Sequence, residues 1–317
     1  MKSRKSSARP VKEMTNNEGV RMKEFAFFPG CSIPSGFLKY EKLVLDLLGE
    51  FDISVTYPQG MTCCPAPMSF EVFDDDNFFT VGARNIALCE ELELDILSPC
   101  NGCTMTLNRV NNRLRTDDRL KEYVNTSLEK VGRRYNGTVN IQSLLRTLYE
   151  DIGLESIRSR IKTSLSGLKV AIHYGCHAFE ELEEYNDSRN PTVLESLAEA
   201  LGMEVVEYAT ANECCLVFAN TVDRDFVLKS LKKKMKDITE AGADCILVIC
   251  ASCFSQFDKT QEMMSWIDLM DESDQMPVYL YPELLAFAMG MDFDTIGLDE
   301  HKVDARALLQ KRYSGQD

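Results

Sequence analysis

Ten of the twelve cysteines fall into two sets with the same pattern: a single cysteine, an adjacent pair and a CxxC motif. The gaps between these parts are 31 and 35 residues in the first set and 37 and 34 residues in the second. Cysteines grouped in this way bind metal ions or clusters, or carry redox chemistry. The first set is Cys31, Cys63, Cys64, Cys100 and Cys103, and the second is Cys176, Cys214, Cys215, Cys250 and Cys253.

Five thiolates per set can be used in three ways. A structural zinc ion takes four ligands in a closed tetrahedron, which leaves one cysteine of each set over. A cubane iron–sulfur cluster also takes four cysteines. A cluster of unusual shape can use all five, because an adjacent pair serves neighbouring irons more easily than it points both sulfurs at one ion. The many thiolates and the 3 histidines of the chain favour iron–sulfur over zinc. We expect the two remaining cysteines, Cys89 and Cys245, to lie in the core.

The segments around the cysteines repeat as well. Residues 27–31 match residues 172–176, and residues 92–100 match residues 242–250. The offset is 145 residues at Cys31 and 150 residues at Cys100, which indicates a tandem duplication of one domain. The sequence therefore predicts two pseudo-symmetric domains, at 24–165 and 166–305. A disordered basic tail is expected over 1–23 and a C-terminal tail over 306–317.

Each repeat alternates strands and helices, and a predicted strand precedes each part of the cysteine pattern. The strands are expected at 24–28, 53–57 and 94–97 in the first repeat and at 169–173, 203–208 and 245–249 in the second. The acidic run at 74–76 is suited to capping the helix that follows it. This order predicts an α/β fold in which each domain is a small parallel sheet flanked by helices. The cysteines should then meet at the carboxyl ends of the strands, where such sheets bind ligands.

Composition excludes several classes of protein. The chain has 35 basic and 50 acidic residues in 317, a net charge of −15, which argues against a nucleic-acid surface. No apolar run reaches the roughly 20 residues of a membrane helix, and no secretory signal is visible, so we expect a cytoplasmic location without a membrane span. The chain also lacks a glycine-rich nucleotide fingerprint, and its electrons are therefore expected to come from a partner.

The motifs resemble the paired cysteine-rich CCG domains found in the B subunit of heterodisulfide reductase. The likeness is carried by residues 28–34 (FPGCSIP), 62–67 (TCCPAP), 100–103 (CNGC) and 174–177 (YGCH), and it covers about residues 25–260. It implies that each five-cysteine set holds a non-cubane [4Fe-4S] cluster and that a disulfide held between the two clusters is reduced to two thiols. It also implies two partners, the small ferredoxin-like iron–sulfur protein and the flavin-bearing protein of the same complex.

By the same resemblance, the second set would form the reactive cluster and the disulfide would be that of coenzyme M and coenzyme B, as in methanogenesis, or a related one. His177 would donate a proton to a product thiolate or hydrogen-bond a cluster sulfide. Leu216 departs from the motif, which has glycine there. We expect His173 to be structural and His301 to lie at the surface.

Two other functions remain open from the sequence. The paired domains could relay electrons in a lactate, glycolate or quinone-linked dehydrogenase whose partner holds the substrate. Alternatively, the cysteines could hold zinc in a scaffold without turnover.

Overall fold

The computed structural model describes residues 13–15, 21–66, 71 and 74–313. Most of the predicted basic tail and the last four residues of the predicted C-terminal tail lie outside these residues. The strands are β1 Glu13–Thr15, β2 Arg21–Phe27, β3 Ile53–Thr56, β4 Ile96–Ser98, β5 Ile141–Ser143, β6 Lys169–His173, β7 Glu204–Val206, β8 Cys245–Val248 and β9 Val278–Leu280.

The α-helices are α1 Ser32–Gly36, α2 Leu38–Glu50, α3 Asp75–Glu90, α4 Asn101–Thr116, α5 Asp118–Leu128, α6 Leu144–Arg146, α7 Leu154–Ser159, α8 Phe179–Leu182, α9 Val193–Ala200, α10 Arg224–Glu240, α11 Ala251–Trp266, α12 Tyr281–Ala288, α13 Phe293–Ile296 and α14 Arg306–Tyr313. None of these helices is long and apolar enough to cross a membrane.

Two sheets with the same strand order confirm the predicted fold class. In the first sheet β2 pairs in parallel with β3 and β4, and β4 pairs with β5. In the second sheet β6 pairs in parallel with β7 and β8, and β8 pairs with β9. The short strand β1 runs antiparallel to the start of β2. Each repeat therefore begins with an inner strand, places the next strand on one side and continues on the other side.

Apolar runs and acidic caps explain why these elements form. Every residue of β4 and of β8 is buried, as expected for inner strands covered on both faces. The helices α3 and α10 occupy corresponding places, and each begins at an aspartate that accepts a backbone N–H bond. Asp74 accepts from Asn77 in the first repeat, as predicted from the acidic run, and Asp223 accepts from Phe226 in the second.

The described chain divides into two compact units. One unit holds the residues up to Cys31 together with Leu48–Leu144, and the other holds Ser32–Leu47 together with the residues from Leu145 onward. The helix α1 and most of α2 therefore count with the second unit, although they follow the first cysteine. Each five-cysteine set lies within one unit. The domain boundaries expected from the sequence stay a prediction.

Candidate metal centre

The cysteines of each set lie beyond the carboxyl ends of three parallel strands. In the first sheet the single cysteine follows β2, the adjacent pair follows β3, and the CxxC follows β4. The second sheet repeats this arrangement with β6, β7 and β8. The chain changes direction across the sheet between β2 and β4, and between β6 and β8. Open α/β sheets bind ligands at this topological switch point, so the fold brings the thiols to its natural binding site.

The five sulfurs of the first set form one continuous row of neighbours. The Cys31 and Cys63 Sγ atoms are 4.0 Å apart. Cys63 contacts Cys64 through its thiol, Cys64 contacts Cys103, and Cys103 contacts Cys100. All five side chains thus point toward one region, although 71 residues lie between the first cysteine and the last.

The second set forms the same row in the same order. The Sγ atoms of Cys176 and Cys214 are 3.8 Å apart, and those of Cys215 and Cys253 are 3.4 Å apart. Thiol contacts between Cys214 and Cys215 and between Cys253 and Cys250 complete the row. Sulfurs placed about 2.3 Å from one tetrahedral metal lie about 3.8 Å from each other, so these separations suit thiolates that share metal atoms.

A glycine directly before each single cysteine makes room for these rows. Gly30 and Gly175 both have left-handed backbone angles, with φ of 77° and 80°. A Cβ atom at Gly30 would lie 2.6 Å from the Sγ of Cys103, and one at Gly175 would lie 2.9 Å from the Sγ of Cys253. Glycine is therefore required at both positions by conformation and by space.

Crowding of the sulfurs separates their pKa values. Hydrogen bonds from Cys103 and Cys63 lower the pKa of Cys64 to about 4, and bonds from Cys176 and Cys215 lower that of Cys214 to about 2. The thiol of Cys253 and backbone N–H groups at the start of α11 lower the pKa of Cys250 to about 7. These thiolates each rely on neighbouring thiols that keep their protons.

Several of those neighbours have a raised pKa for the complementary reason. Each of these thiols donates a hydrogen bond to an adjacent thiolate and is partly or wholly buried. Both the hydrogen bond and the burial raise its pKa. The four thiols are Cys63, Cys103, Cys176 and Cys253. Five mutually close thiolates therefore need the positive charge of bound metal to ionise together. The donor set fits a polynuclear centre, and it offers one sulfur more than a tetrahedral zinc ion takes.

Two residues lie near the second set although the sequence predicts no role for them there. His173, expected to be structural, has a ring nitrogen within 4.8 Å of the sulfurs of Cys215 and Cys253, and neither ring nitrogen has a hydrogen-bond partner among the described residues. Burial and the nearby Lys234 lower the pKa of His173 to about 3, so the ring is neutral. Lys234 is 2% exposed, and burial lowers its pKa to about 8.

Two aromatic residues and one residue with a strained backbone lie beside the second cysteine set. The His177 ring lies 5.7 Å from the ring of Phe218, and both line a pocket that contains all five thiols of the set. Leu216, at the position where the motif has glycine, adopts a left-handed backbone with φ of 62° and donates its N–H to Cys214 Sγ at 3.3 Å. Leucine at this angle is strained, which explains the preference for glycine.

The other singled-out residues are not members of these rows. Cys89 and Cys245 are buried, and burial raises the pKa of both thiols, as expected for core cysteines. The expectation that His301 lies at the surface is wrong. Its side chain is 2% exposed, and its Nε2 lies 2.9 Å from the Glu283 carboxylate.

Comparisons with known proteins match both repeats. The model of the CCG family, described as a cysteine-rich domain, matches residues 25–108 and 170–258. The B subunit of the ferredoxin:CoB-CoM heterodisulfide reductase of Methanosarcina mazei is 33% identical over 296 residues, which cover 92% of this chain and 98% of that protein. A protein of Archaeoglobus profundus, named as similar to the heterodisulfide reductase B subunit, is 33% identical over 277 residues, covering 86% and 92%.

A third relative is named for a different reaction. The 8-methylmenaquinol:fumarate reductase membrane anchor subunit of Wolinella succinogenes is 30% identical over 288 residues, covering 90% of this chain and 99% of that protein. Among solved structures, a hypothetical protein from Helicobacter pylori superposes with a TM-score of 0.70 at 14% identity, covering 89% of this chain and 52% of that one. This likeness concerns the fold alone.

Proposed function

Because the chain belongs to the family of heterodisulfide reductase B subunits, with two cysteine-rich CCG domains, we propose that it is the catalytic component that reduces a disulfide to two thiols. Membership of the family makes it an iron–sulfur component of an oxidoreductase. One observation above all supports the proposal that this chain reduces a disulfide: the same row of five sulfurs occurs in both units. Two matching donor sets suit a reaction that needs two electrons.

Each row is proposed to hold one [4Fe-4S] cluster of non-cubane form. The first would be held by Cys31, Cys63, Cys64, Cys100 and Cys103, and the second by Cys176, Cys214, Cys215, Cys250 and Cys253. A bound iron–sulfur cluster supplies electrons one at a time. Cleavage of a disulfide takes two electrons and two protons and gives two thiols, so the electrons are proposed to arrive from partner subunits, one small with iron–sulfur clusters and one bearing a flavin.

The residues around the second row suit it for the chemical step. His177 and Phe218 line the same pocket as the thiols, which places an imidazole beside the cysteines where a product thiolate would form. Histidine is the side chain that most often serves as a general acid in proteins. Val217 and Phe218 add apolar surface beside the sulfur atoms.

An electron relay is the second candidate, and the relative from Wolinella succinogenes favours it. That relative is named as a subunit of a quinol:fumarate reductase, and its name does not mention a disulfide substrate. In a relay the cysteine rows would pass electrons and a partner protein would hold the substrate. The two candidates share the clusters and differ in whether a disulfide reacts at this chain.

Turnover with a disulfide separates the two candidates. The complex is purified without oxygen and reduced, then mixed with the CoB–CoM heterodisulfide or a symmetrical analogue, and the thiols formed are counted. The proposal predicts that each disulfide consumes two electrons and yields two thiols. His177→Gln should slow thiol formation at least tenfold while iron content is unchanged. Electron transfer to a quinone without thiol formation from any disulfide would favour the relay.

Metal analysis tests the ligand assignment separately. Cys214→Ser should remove about half of the iron and acid-labile sulfide and leave the first cluster intact. Cys245→Ser, at a buried core cysteine, is the matched control and should keep full iron content. Zinc in place of iron in the anaerobic protein would support the scaffold function instead, and unchanged iron in Cys214→Ser would refute the assignment.

A further inference from the structure

A second pocket lies farther along α11 than the second cysteine set, between the start of α10 and residues 255–263 of α11. Its volume is about 280 Å³, smaller than a typical pocket for a drug-sized ligand and suited to one small group. Arg224, Lys259, Asn220 and Gln256 line it together with Ser255 and Thr260. Each of these side chains can donate a hydrogen bond, and none of the described lining residues is acidic.

Gln256 places a buried amide beside the pocket. Its side chain is 4% exposed, and its Oε1 accepts a bond of 2.7 Å from the Nδ2 of Asn220. Asn220 also donates this amide to the carbonyl oxygen of Val217 at 3.0 Å, which fixes the orientation of both amides. The Nε2 of Gln256 is consequently a donor without a partner among the described residues. A buried unpaired donor is unfavourable, and it adds one more unsatisfied donor to the groups around the pocket.

Two cations give the pocket a positive charge. In the described part of the chain, no carboxylate forms an ion pair with Arg224 or Lys259. The ammonium of Lys259 lies over the ring of Phe37, 5.4 Å from its centre. The nearby Asp223 carboxylate is engaged as the helix cap and accepts from Phe226. Donors and cations without a carboxylate partner, in a chain of net charge −15, are the arrangement expected of an anion site.

The pocket adjoins the thiols through two shared elements. Cys253, Gln256 and Thr260 are spaced three and seven residues apart on α11 and therefore share a face of the helix. A rise of about 1.5 Å per residue places Gln256 about 4.5 Å beyond Cys253 along the axis. The 3₁₀ segment Val217–Thr221 lines the thiol pocket with Val217 and Phe218 and this pocket with Asn220.

We propose that this pocket binds the anionic group of the substrate, a sulfonate, phosphate or carboxylate, while the substrate's sulfur lies at the second cysteine set. The link to the substrate rests on the proposed disulfide reduction, whereas the anion site itself does not. The spacing suits an anion carried a few carbon atoms from the reacting sulfur.

Direct binding tests the site without turnover. Methanesulfonate and inorganic phosphate are titrated into the full chain by calorimetry. Arg224→Gln and Lys259→Gln remove surface charges and are expected to fold, and each should weaken binding at least tenfold. Lys232→Gln removes an equal charge from an exposed position of α10 and should leave binding unchanged. Equal binding by the wild type and both pocket variants would overturn the site.

Kinetics test the link to the substrate. Arg224→Gln should raise KM at least tenfold for a disulfide with anionic ends and leave kcat unchanged, and it should not alter KM for the neutral bis(2-hydroxyethyl) disulfide. Weaker anion binding with unchanged KM would overturn the assignment to the substrate and point to a free anion or an acidic group of a partner. If the wild type reduces no disulfide but the pocket variants still lose anion binding, the proposed function is refuted and the anion site is supported.

Discussion

The ammonium group of Lys234 donates a hydrogen bond of 2.9 Å to the carbonyl oxygen of Glu213, the residue directly before Cys214. It also donates to the carbonyl oxygen of Thr210. Because the lysine is buried, its charge is poorly screened by water. The loop that presents the second cysteine pair is therefore held by a cation.

The first repeat uses a neutral side chain for the same task. Asn85 and Lys234 each lie eleven residues after the aspartate that caps their helix, Asp74 or Asp223. The buried Asn85 accepts from the N–H of Thr62 at 3.0 Å and donates to the carbonyl oxygen of Cys63 at 2.9 Å. The two cysteine rows thus share their geometry but differ by one buried positive charge.

This difference predicts unequal reduction potentials. Lys234→Gln should lower the midpoint potential of the second cluster by about 100 mV, because a positive charge stabilises the more negative, reduced state. A unit charge a few ångströms away contributes about 2–4 kcal/mol at an effective dielectric constant near 20. About 1.4 kcal/mol corresponds to 59 mV for one electron. Redox titration followed by electron paramagnetic resonance measures the shift.

Two further variants make the result specific. Lys233→Gln removes the neighbouring, exposed charge and should shift the potential by much less, because water and salt screen it. Asn85→Lys should raise the potential of the first cluster. A potential that is the same in the wild type and Lys234→Gln would show that the buried charge does not act on the cluster.

Substitution of the glycines before the single cysteines should remove the clusters one at a time. Gly175→Ala should reduce iron content by about half, since its Cβ would lie 2.9 Å from the Sγ of Cys253. Gly30→Ala should do the same to the first cluster through Cys103. Gly132→Ala is the control, because its φ is also positive, at 69°, but no atom lies within 4 Å of the added carbon. Full iron content in both site variants would contradict the expectation.

Leu216→Gly should stabilise the protein. A leucine at φ 62° costs about 1 kcal/mol relative to glycine, and the half-buried side chain offsets part of the gain when it is removed. Urea unfolding under anaerobic conditions measures the change in the free energy of unfolding. Glu93 also has a left-handed backbone, with φ of 58°, and it is far in sequence from the second cysteine set. Glu93→Gly should relieve the same backbone strain and serves as a reference. A gain in Glu93→Gly together with a loss in Leu216→Gly would mean that leucine packing outweighs the strain.

The fold followed from the sequence because its signals are local and occur twice. Apolar runs such as the one at β8 marked the strands, and the repeated cysteine spacing marked the places where strands end. Parallel strands then bring residues that follow them to one edge of the sheet. The gathering of each cysteine set was predictable for this reason, without knowledge of any single contact.

The supporting residues were harder to predict because their roles depend on contacts between distant segments. Lys234 did leave a signal: it lies three residues after Leu231 and four before Ile238, on the apolar stripe of α10, where a lysine is unexpected. His173 stands where the first repeat has Phe28, and this difference between repeats was the available clue. His301 left none, since its burial accompanies a contact with Glu283 in α12.

The buried pair of His301 and Glu283 should make stability depend on pH. Burial alone lowers the pKa of His301, but the charge of Glu283 and its hydrogen bond outweigh burial and hold the pKa above 6.5. The folded state therefore binds the proton more tightly than the unfolded state does. The stabilisation is complete below about pH 6.5 and is lost as pH rises through the folded pKa.

His301→Gln removes this titration. The free energy of unfolding of the wild type, minus that of His301→Gln, should be largest near pH 6 and should fall as pH increases toward 8. The slope arises from the pair, so it should be lost or change sign when the same comparison is made in a Glu283→Gln background, where burial is no longer outweighed. The four proteins form a double-mutant cycle. Urea unfolding at several pH values measures all four proteins. A difference that grows with pH would mean that burial of the ring, rather than its carboxylate partner, governs the protonation of His301.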